Sequence, residues 1–136
     1  DYRCIIGFYR FSIIKYWVVR NAKKIKQFDV NPDGRTEGTY TKYQSLDDKM
    51  DGIHYYTWFI KTGRGRTTED AALEVRNKII TRDEAKRLVK KFDGEFPKKY
   101  FNDCIKYMNI SEKIFHKTID KFRPKHIWKK VKKNGY

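Results

Sequence analysis

Apolar residues recur at helical spacing over most of this chain, and polar punctuation divides them into short helices. Residues 4–11, Cys-Ile-Ile-Gly-Phe-Tyr-Arg-Phe, break that pattern, being β-branched and aromatic, and predict a short strand. Ser12 then caps a helix in which Ile13, Ile14, Trp17, Val18, Ala22, Ile25 and Phe28 share a stripe. Lys15, Arg20, Lys23, Lys24 and Lys26 mostly fill its other face, a placement that solvation alone explains. Asn31-Pro-Asp-Gly34 is a turn, because proline fixes φ, asparagine and aspartate bond locally, and glycine takes a positive φ. A polar loop follows from Arg35. Ser45, with Asp48 three residues on, predicts a helix start, and the helix should run to Thr62 with Gly63 as its C-cap. Leu46, Met50, Ile53, Thr57 and Ile60 form its buried stripe. His54, Tyr55, Tyr56, Trp58 and Phe59 make it apolar on more than one side, so it should be central. His54 reads as a core or interface histidine rather than a general base.

Beyond Gly63 the punctuation is regular. Thr67 with Asp70 starts a helix, and Thr81-Arg-Asp-Glu84 is a capping box ahead of the stripe Ala85, Leu88, Val89 and Phe92, ended by Gly94. Pro97 fits a first helical turn, followed by Tyr100, Phe101, Cys104, Ile105 and Met108 on one side. Ser111 caps a last helix with Ile114, Phe115, Ile119 and Phe122 turned inward. Arg123 to Trp128 stops the helical pattern, and Lys129 to Tyr136 is a basic tail that should fray. The expected fold is mainly α: a short N-terminal strand or two, then about five or six helices. Three regions follow: 1–30 as strand plus helix, 31–128 as a helical lobe, and the tail.

Composition narrows the class. The 136 residues are one domain's worth, and 39% hydrophobic with 16% aromatic content is ample for a core. No apolar run is long enough to span a membrane, and no signal-peptide pattern opens the chain. Cys4 and Cys104 have no partner at metal-ligand spacing, so zinc is not expected and both read as reduced, buried thiols of a cytoplasmic protein. The net charge of +15 points to an anionic partner: nucleic acid, a membrane surface or a phosphorylated small molecule. Nucleic acid is disfavoured, because the aromatic residues lie on inward stripes instead of interleaving with basic ones, and no helix-turn-helix or zinc-finger signature occurs. The chain starts without methionine inside an apolar stretch and is expected to be a segment of something longer.

The candidate chemistry gathers in Arg35-Thr-Glu-Gly-Thr-Tyr-Thr-Lys-Tyr-Gln-Ser-Leu-Asp-Asp-Lys-Met-Asp51. Asp47, Asp48 and Asp51 fall in the first two turns of the expected helix, with Asp47 and Asp51 on one face. Early carboxylates complement a helix dipole, and that explanation competes on even terms with a ligand role. It leaves Arg35, Glu37, Thr39, Tyr40 and Thr41 unexplained. A polyanion held by Arg35 and hydroxyls, with magnesium between it and the aspartates, accounts for both halves. Gly63-Arg-Gly-Arg-Thr67 is a second candidate, since glycines let backbone approach an anion at a helix N-terminus; two exposed arginines in a helix–helix loop is the equal alternative. It is not a Walker loop, and no Gly-x-Ser-x-Gly or His-Glu-x-x-His occurs.

Several of these runs closely resemble the C-terminal half of the N-acetyl sugar amidotransferases of bacterial surface-polysaccharide and LPS-type sugar biosynthesis. They are Gly34-Arg-Thr-Glu-Gly-Thr-Tyr-Thr41, Ser45-Leu-Asp-Asp-Lys49, Asp51-Gly-x-His-Tyr-Tyr56 and Gly63-x-Gly-Arg66. Ile80-Thr-Arg-Asp-Glu-Ala85, Phe92-Asp-Gly-Glu-Phe-Pro97 and Phe122-Arg-x-x-His-Ile-Trp128 continue the likeness, in order, over roughly residues 33–130. The chain departs at Thr62 and Arg64, where relatives tend to carry apolar residues, and at Pro124, which relatives tend to place directly before the histidine; Arg64 is the weaker carry-over beside Arg66. The resemblance implies the C-terminal lobe of an α/β, adenine nucleotide α-hydrolase-like enzyme of the PP-loop ATP pyrophosphatases. Such an enzyme uses ATP and magnesium to convert the acetamido group of a nucleotide sugar to acetamidino, with ammonia from glutaminase and synthase-like subunits. It further implies Asp47, Asp48 and Asp51 for magnesium or ribose, with Asp47, Asp48 and Glu37 catalytic. Arg35, Lys49, Arg64 and Arg66 would meet phosphates, and Glu37, Thr39, Tyr40 and Thr41 would orient substrate. The family's phosphate-gripping Ser-Gly-Gly-x-Asp-Ser is absent from these residues, as is its cysteine-rich metal motif. The chain alone is therefore expected to be inactive, completing the site of a longer polypeptide that carries the N-terminal PP-loop half, or to be the remnant of a truncated gene. A small basic helical module that binds nucleic acid or protein is the alternative.

Overall fold

The computed structural model describes residues 34–45 and 47–129. The expected strand at 4–11, the helix at 13–28, Leu46 and the tail from 130 lie outside them. Among the described residues five helices follow the loop: α1 Asp51–Thr62, α2 Arg66–Arg76, α3 Arg82–Phe92, α4 Phe101–Tyr107 and α5 Glu112–Lys121. There is no strand among the described residues.

Helix α1 begins at Asp51, five residues later than a Ser45 cap predicts. Ser45 takes a left-handed backbone, φ 56°, and its hydroxyl bonds the phenol of Tyr55 instead of capping. Asp48 provides a local brace, accepting the Met50 N–H at 2.7 Å, and the helix starts at Asp51. Asp47 therefore precedes the helix and does not share a helical face with Asp51. The other end is as expected: Gly63 has φ 74° and donates its N–H to the Phe59 carbonyl at 2.8 Å.

One core joins α1, α4 and α5 through Ile53, Ile60, Phe101, Cys104, Phe115 and Ile119. Phe101 meets Phe115 and Phe96 edge to face, with ring centroids 5.1 and 4.8 Å apart. Burial pushes the Cys104 thiol up, Asp103 and Asp48 adding to it, and the thiol points at the Lys49 carbonyl. The chain after α5 returns to α1, where the Trp128 indole donates to the Ile60 carbonyl at 2.6 Å and packs on Phe59.

Helices α2 and α3 pack on each other beside this core. Thr81 and Glu84 form the expected reciprocal capping box at the start of α3, and Ser111 caps α5 through the Ile114 N–H. Pro97 lies ahead of α4 rather than in its first turn, buried against Gly52, where an added Cβ would stand 3.0 Å from the proline Cβ. Two expected core residues, Ile114 and Phe122, are 52% and 62% exposed, and His54, expected in the core or at an interface, lies on the exposed side of α1.

Candidate functional site

The loop from Arg35 to Lys49 folds into one wall of a cleft of about 220 Å³, and Lys99 and Tyr100 form the other. Of the residues singled out in the sequence, Arg35, Glu37, Asp47, Asp48 and Lys49 line it. Asp47, Asp48, Lys49 and Lys99 are exposed, so the cleft presents two carboxylates and two ammonium groups to solvent.

Contacts within the fold hold both lysines and Glu37 in place. Lys49 and Lys99 place their ammonium groups 5.2 and 5.0 Å from the centroid of the same Tyr100 ring. Lys49 also stands 3.5 Å from Asp103. Glu37 Oε1 accepts the Lys99 backbone N–H at 2.8 Å, tying the two walls together. Its other oxygen lies where a Cβ on Gly52 would sit 3.5 Å away, so the first turn of α1 packs close beneath it.

Arg35 is spoken for by the fold. Its guanidinium holds Glu95 through two nitrogens at 2.6 Å, donates to the Thr39 carbonyl at 2.9 Å and stacks 4.4 Å from the Phe92 centroid. The Glu95 hydrogen bond raises the Arg35 pKa against the opposing effect of burial. Burial pushes Glu95 up, but Arg35 and the Gly38 N–H together outweigh it and hold the carboxyl below its ordinary value. Arg35 thus borders the cleft as a charge whose hydrogen bonds face inward.

The remaining candidates lie elsewhere. Thr39 is fully buried and donates to the Thr36 carbonyl at 2.7 Å, bracing the loop. Tyr40 and Thr41 are absent from the cleft lining, and Asp51 opens α1 half-buried outside it. Arg66 pairs with Asp70 at 3.1 Å across one turn of α2; burial opposes its charge, and Asp70 more than compensates. Arg64 is exposed in the α1–α2 loop. That loop's anion site is filled by the chain itself. The Asp93 carboxylate accepts the Gly65 N–H at 2.9 Å and the Thr68 N–H at 3.3 Å, and bonds the Thr68 hydroxyl. A Cβ on Gly65 would fall 2.5 Å from that carboxylate, which is why glycine stands there.

Asp93, Glu95 and Lys99 carry no signal of a site role in the sequence, and Tyr100 is legible there only as a member of an apolar stripe. The first two stand inside Phe92-Asp-Gly-Glu-Phe-Pro97, so the motif was visible while its partners, some 28 and 60 residues away, were not. Among the described residues no three His, Cys, Asp or Glu side chains converge as metal ligands. No described helix is long and apolar enough to cross a membrane.

No individually curated protein matches the chain significantly. Residues 37–136, well over half of it and including the cleft loop from Glu37 onward, match the family described as LPS biosynthesis protein WbpG-like, C-terminal domain. The chain belongs to that WbpG-like family of LPS biosynthesis proteins.

Proposed function

We propose that the chain is the C-terminal lobe of an ATP-dependent N-acetyl sugar amidotransferase, and that its cleft holds the phosphate end of a magnesium-bound nucleotide substrate. The observation that carries this reading is the meeting of Asp47 and Asp48 with Lys49 and Lys99 around one small opening. Magnesium commonly takes one or two carboxylates and completes its shell with water and phosphate oxygens, so Asp47 and Asp48 fit it without a third protein ligand. Lys49 and Lys99 would neutralise phosphate charge, which is greatest as pyrophosphate leaves. Pockets that enclose whole drug-sized ligands measure about 300–1,000 Å³. A cleft of about 220 Å³ suits phosphate groups, with the rest of the substrate bound by the PP-loop half.

In the proposed reaction ATP activates the acetamido oxygen and ammonia displaces it, in the cytoplasm, with glutaminase and synthase-like partners supplying the ammonia. This lobe's task is binding and orientation. Glu37, braced on Lys99, keeps the two walls at a fixed separation, so that a bound oxygen is held in line for attack. Arg35, its charge balanced by Glu95, holds the loop in place at the edge of the cleft.

The test is ligand-dependent stability. Magnesium with ATP or a UDP-N-acetyl sugar should raise the melting temperature of a polypeptide carrying both halves. At a hundredfold excess over Kd the gain is about 2.7 kcal/mol. No shift with either nucleotide would overturn the proposal. Retention of single-stranded or duplex DNA, lost steeply with salt, would replace it with the nucleic-acid reading that the +15 charge allows.

A further inference from the structure

A second surface, remote from the phosphate cleft in its lining residues, is a groove of about 750 Å³ between α1 and α5, floored by Met108 and Ile110. Its walls are overwhelmingly apolar and include Trp58, Ile114, Phe115 and Phe122. Ile114 and Phe122 are 52% and 62% exposed although they continue the core stripe of α5, so the helix carries more apolar surface than the core uses. We propose that this groove receives an amphipathic helix with acidic flanks from a partner protein.

Shape argues for a helix. The groove is bounded by residues 53–61 on one side and 114–122 on the other. At about 1.5 Å per residue each wall is about 12 Å long, enough to seat anchors at i, i+3 or i+4, and i+7. A concavity between two helices admits such a ridge, whereas a flat bilayer surface meets protruding side chains.

Charge argues for acidic flanks. Lys61 lies in the groove wall and is exposed, and Lys121 is exposed next to Phe122 at the end of α5. Among the described residues no aspartate or glutamate lines the groove. A second copy of the chain would bring the same lysines and a further +15 of net charge, which opposes self-association through this face.

The experiment uses the full chain and a labelled synthetic helix of about 18 residues, leucine at i, i+3, i+4 and i+7 with glutamate flanks, read by fluorescence anisotropy. A scrambled peptide and a lysine-flanked one serve as controls. The ordered acidic peptide should bind at least about tenfold tighter than either. Phe122→Glu and, separately, Ile114→Asp should remove that preference, and Lys61→Glu should weaken binding and its salt dependence. All three side chains are largely exposed, and circular dichroism checks that the helices persist. Equal binding of the ordered and scrambled peptides, or binding untouched by Phe122→Glu, overturns the proposal. So does dimerisation or sedimentation with phosphatidylserine vesicles that Phe122→Glu abolishes, which would assign the groove to a second copy or to a membrane. Nucleotide-induced stabilisation is measured on the same substitutions in a polypeptide carrying both halves and is expected to be unchanged, so this groove and the phosphate cleft stand or fall separately.

Discussion

Arg35 and Glu95 meet in a two-pronged pair across 60 residues of chain, both guanidinium Nη atoms standing 2.6 Å from a carboxylate oxygen. Glu95 Oε2 also accepts the Gly38 N–H at 3.1 Å. A single carboxylate from the segment after α3 thus fixes the loop whose far end forms the cleft. Both side chains are only about a third exposed, 28% and 30%, so neither has ready access to replacement by water. Glu95→Gln removes the charge while keeping the shape, leaving Arg35 with a neutral acceptor. Removing one partner of a charged hydrogen bond commonly costs about 1–3 kcal/mol. Chemical denaturation should show a loss in that range, with the lower end expected at this degree of exposure.

The same pair sets a pH dependence. Glu95 is held below its ordinary pKa once Arg35 and Gly38 overcome burial, and Glu84 is lowered by the Thr81 N–H and hydroxyl. A carboxyl whose pKa is lower folded than unfolded binds more protons when unfolded, so its stabilisation grows as pH rises. It is complete above the unfolded value of about 4.3 and is lost as pH falls through the lower folded value. Thermal melts of the parent chain should decline below about pH 4.3 more steeply than those of Glu95→Gln. Parallel pH curves for the two would show that the pair contributes nothing to acid stability.

Asp93 makes a second long-range tie, capping the start of α2 from the end of α3 through Gly65 and Thr68. Asp93→Ala leaves those N–H groups without their acceptor and should destabilise by about 1–2 kcal/mol, the usual cost of a lost cap. Asp93→Asn keeps one oxygen and should lose less. Hydrogen exchange at Gly65 and Thr68 is the direct measurement; unchanged protection in the alanine variant contradicts the capping role.

These ties also mark where the sequence stops being readable. Gly63, the Thr81–Glu84 box and Ser111 were legible because each acts within a few residues of itself. Ser45 misled because its signal was local but its hydroxyl went to Tyr55, and the helix waited for Asp51. Arg35–Glu95 and Gly65–Asp93 had no periodic trace at all, since they join segments only tertiary folding brings together. Within the candidate site the same rule holds. Asp47, Asp48 and Lys49 are neighbours in sequence and remain neighbours in space, whereas Arg66, grouped with them by charge, belongs to Asp70. Helical spacing assigned Ile114 and Phe122 correctly to the apolar side of α5, but spacing does not say whether anything covers that side.

Gly94 tests the packing against Phe59. Its φ of 75° is a left-handed conformation, and an added Cβ would stand 2.3 Å from the Phe59 ring. Strained backbone and a displaced aromatic act together in Gly94→Ala. Overpacking alone costs about 1–3 kcal/mol. The variant should melt clearly below the parent chain, and a change under about 0.5 kcal/mol would show that neither the backbone conformation nor the ring resists the added methyl.

The cleft gives the prediction that bears on function. Lys49, Lys99, Asp47 and Asp48 are exposed, so Lys49→Ala, Lys99→Ala, Asp47→Asn and Asp48→Asn should leave the fold intact; the asparagine at 48 retains an oxygen for the Met50 N–H. In a polypeptide carrying both halves, each lysine variant should weaken binding of magnesium-ATP or a UDP-sugar by roughly 5–30-fold, about 1–2 kcal/mol. The loss should shrink at high salt, because screening already weakens contacts at an open site. The aspartate variants should instead raise the magnesium concentration needed for binding, with little effect on nucleotide affinity in its absence. Calorimetric titration at several magnesium concentrations separates the two patterns. If the lysine and aspartate variants shift the same parameter equally, the carboxylates are not meeting the ion, and the cleft is a general anion site rather than a place where metal and phosphate are held together.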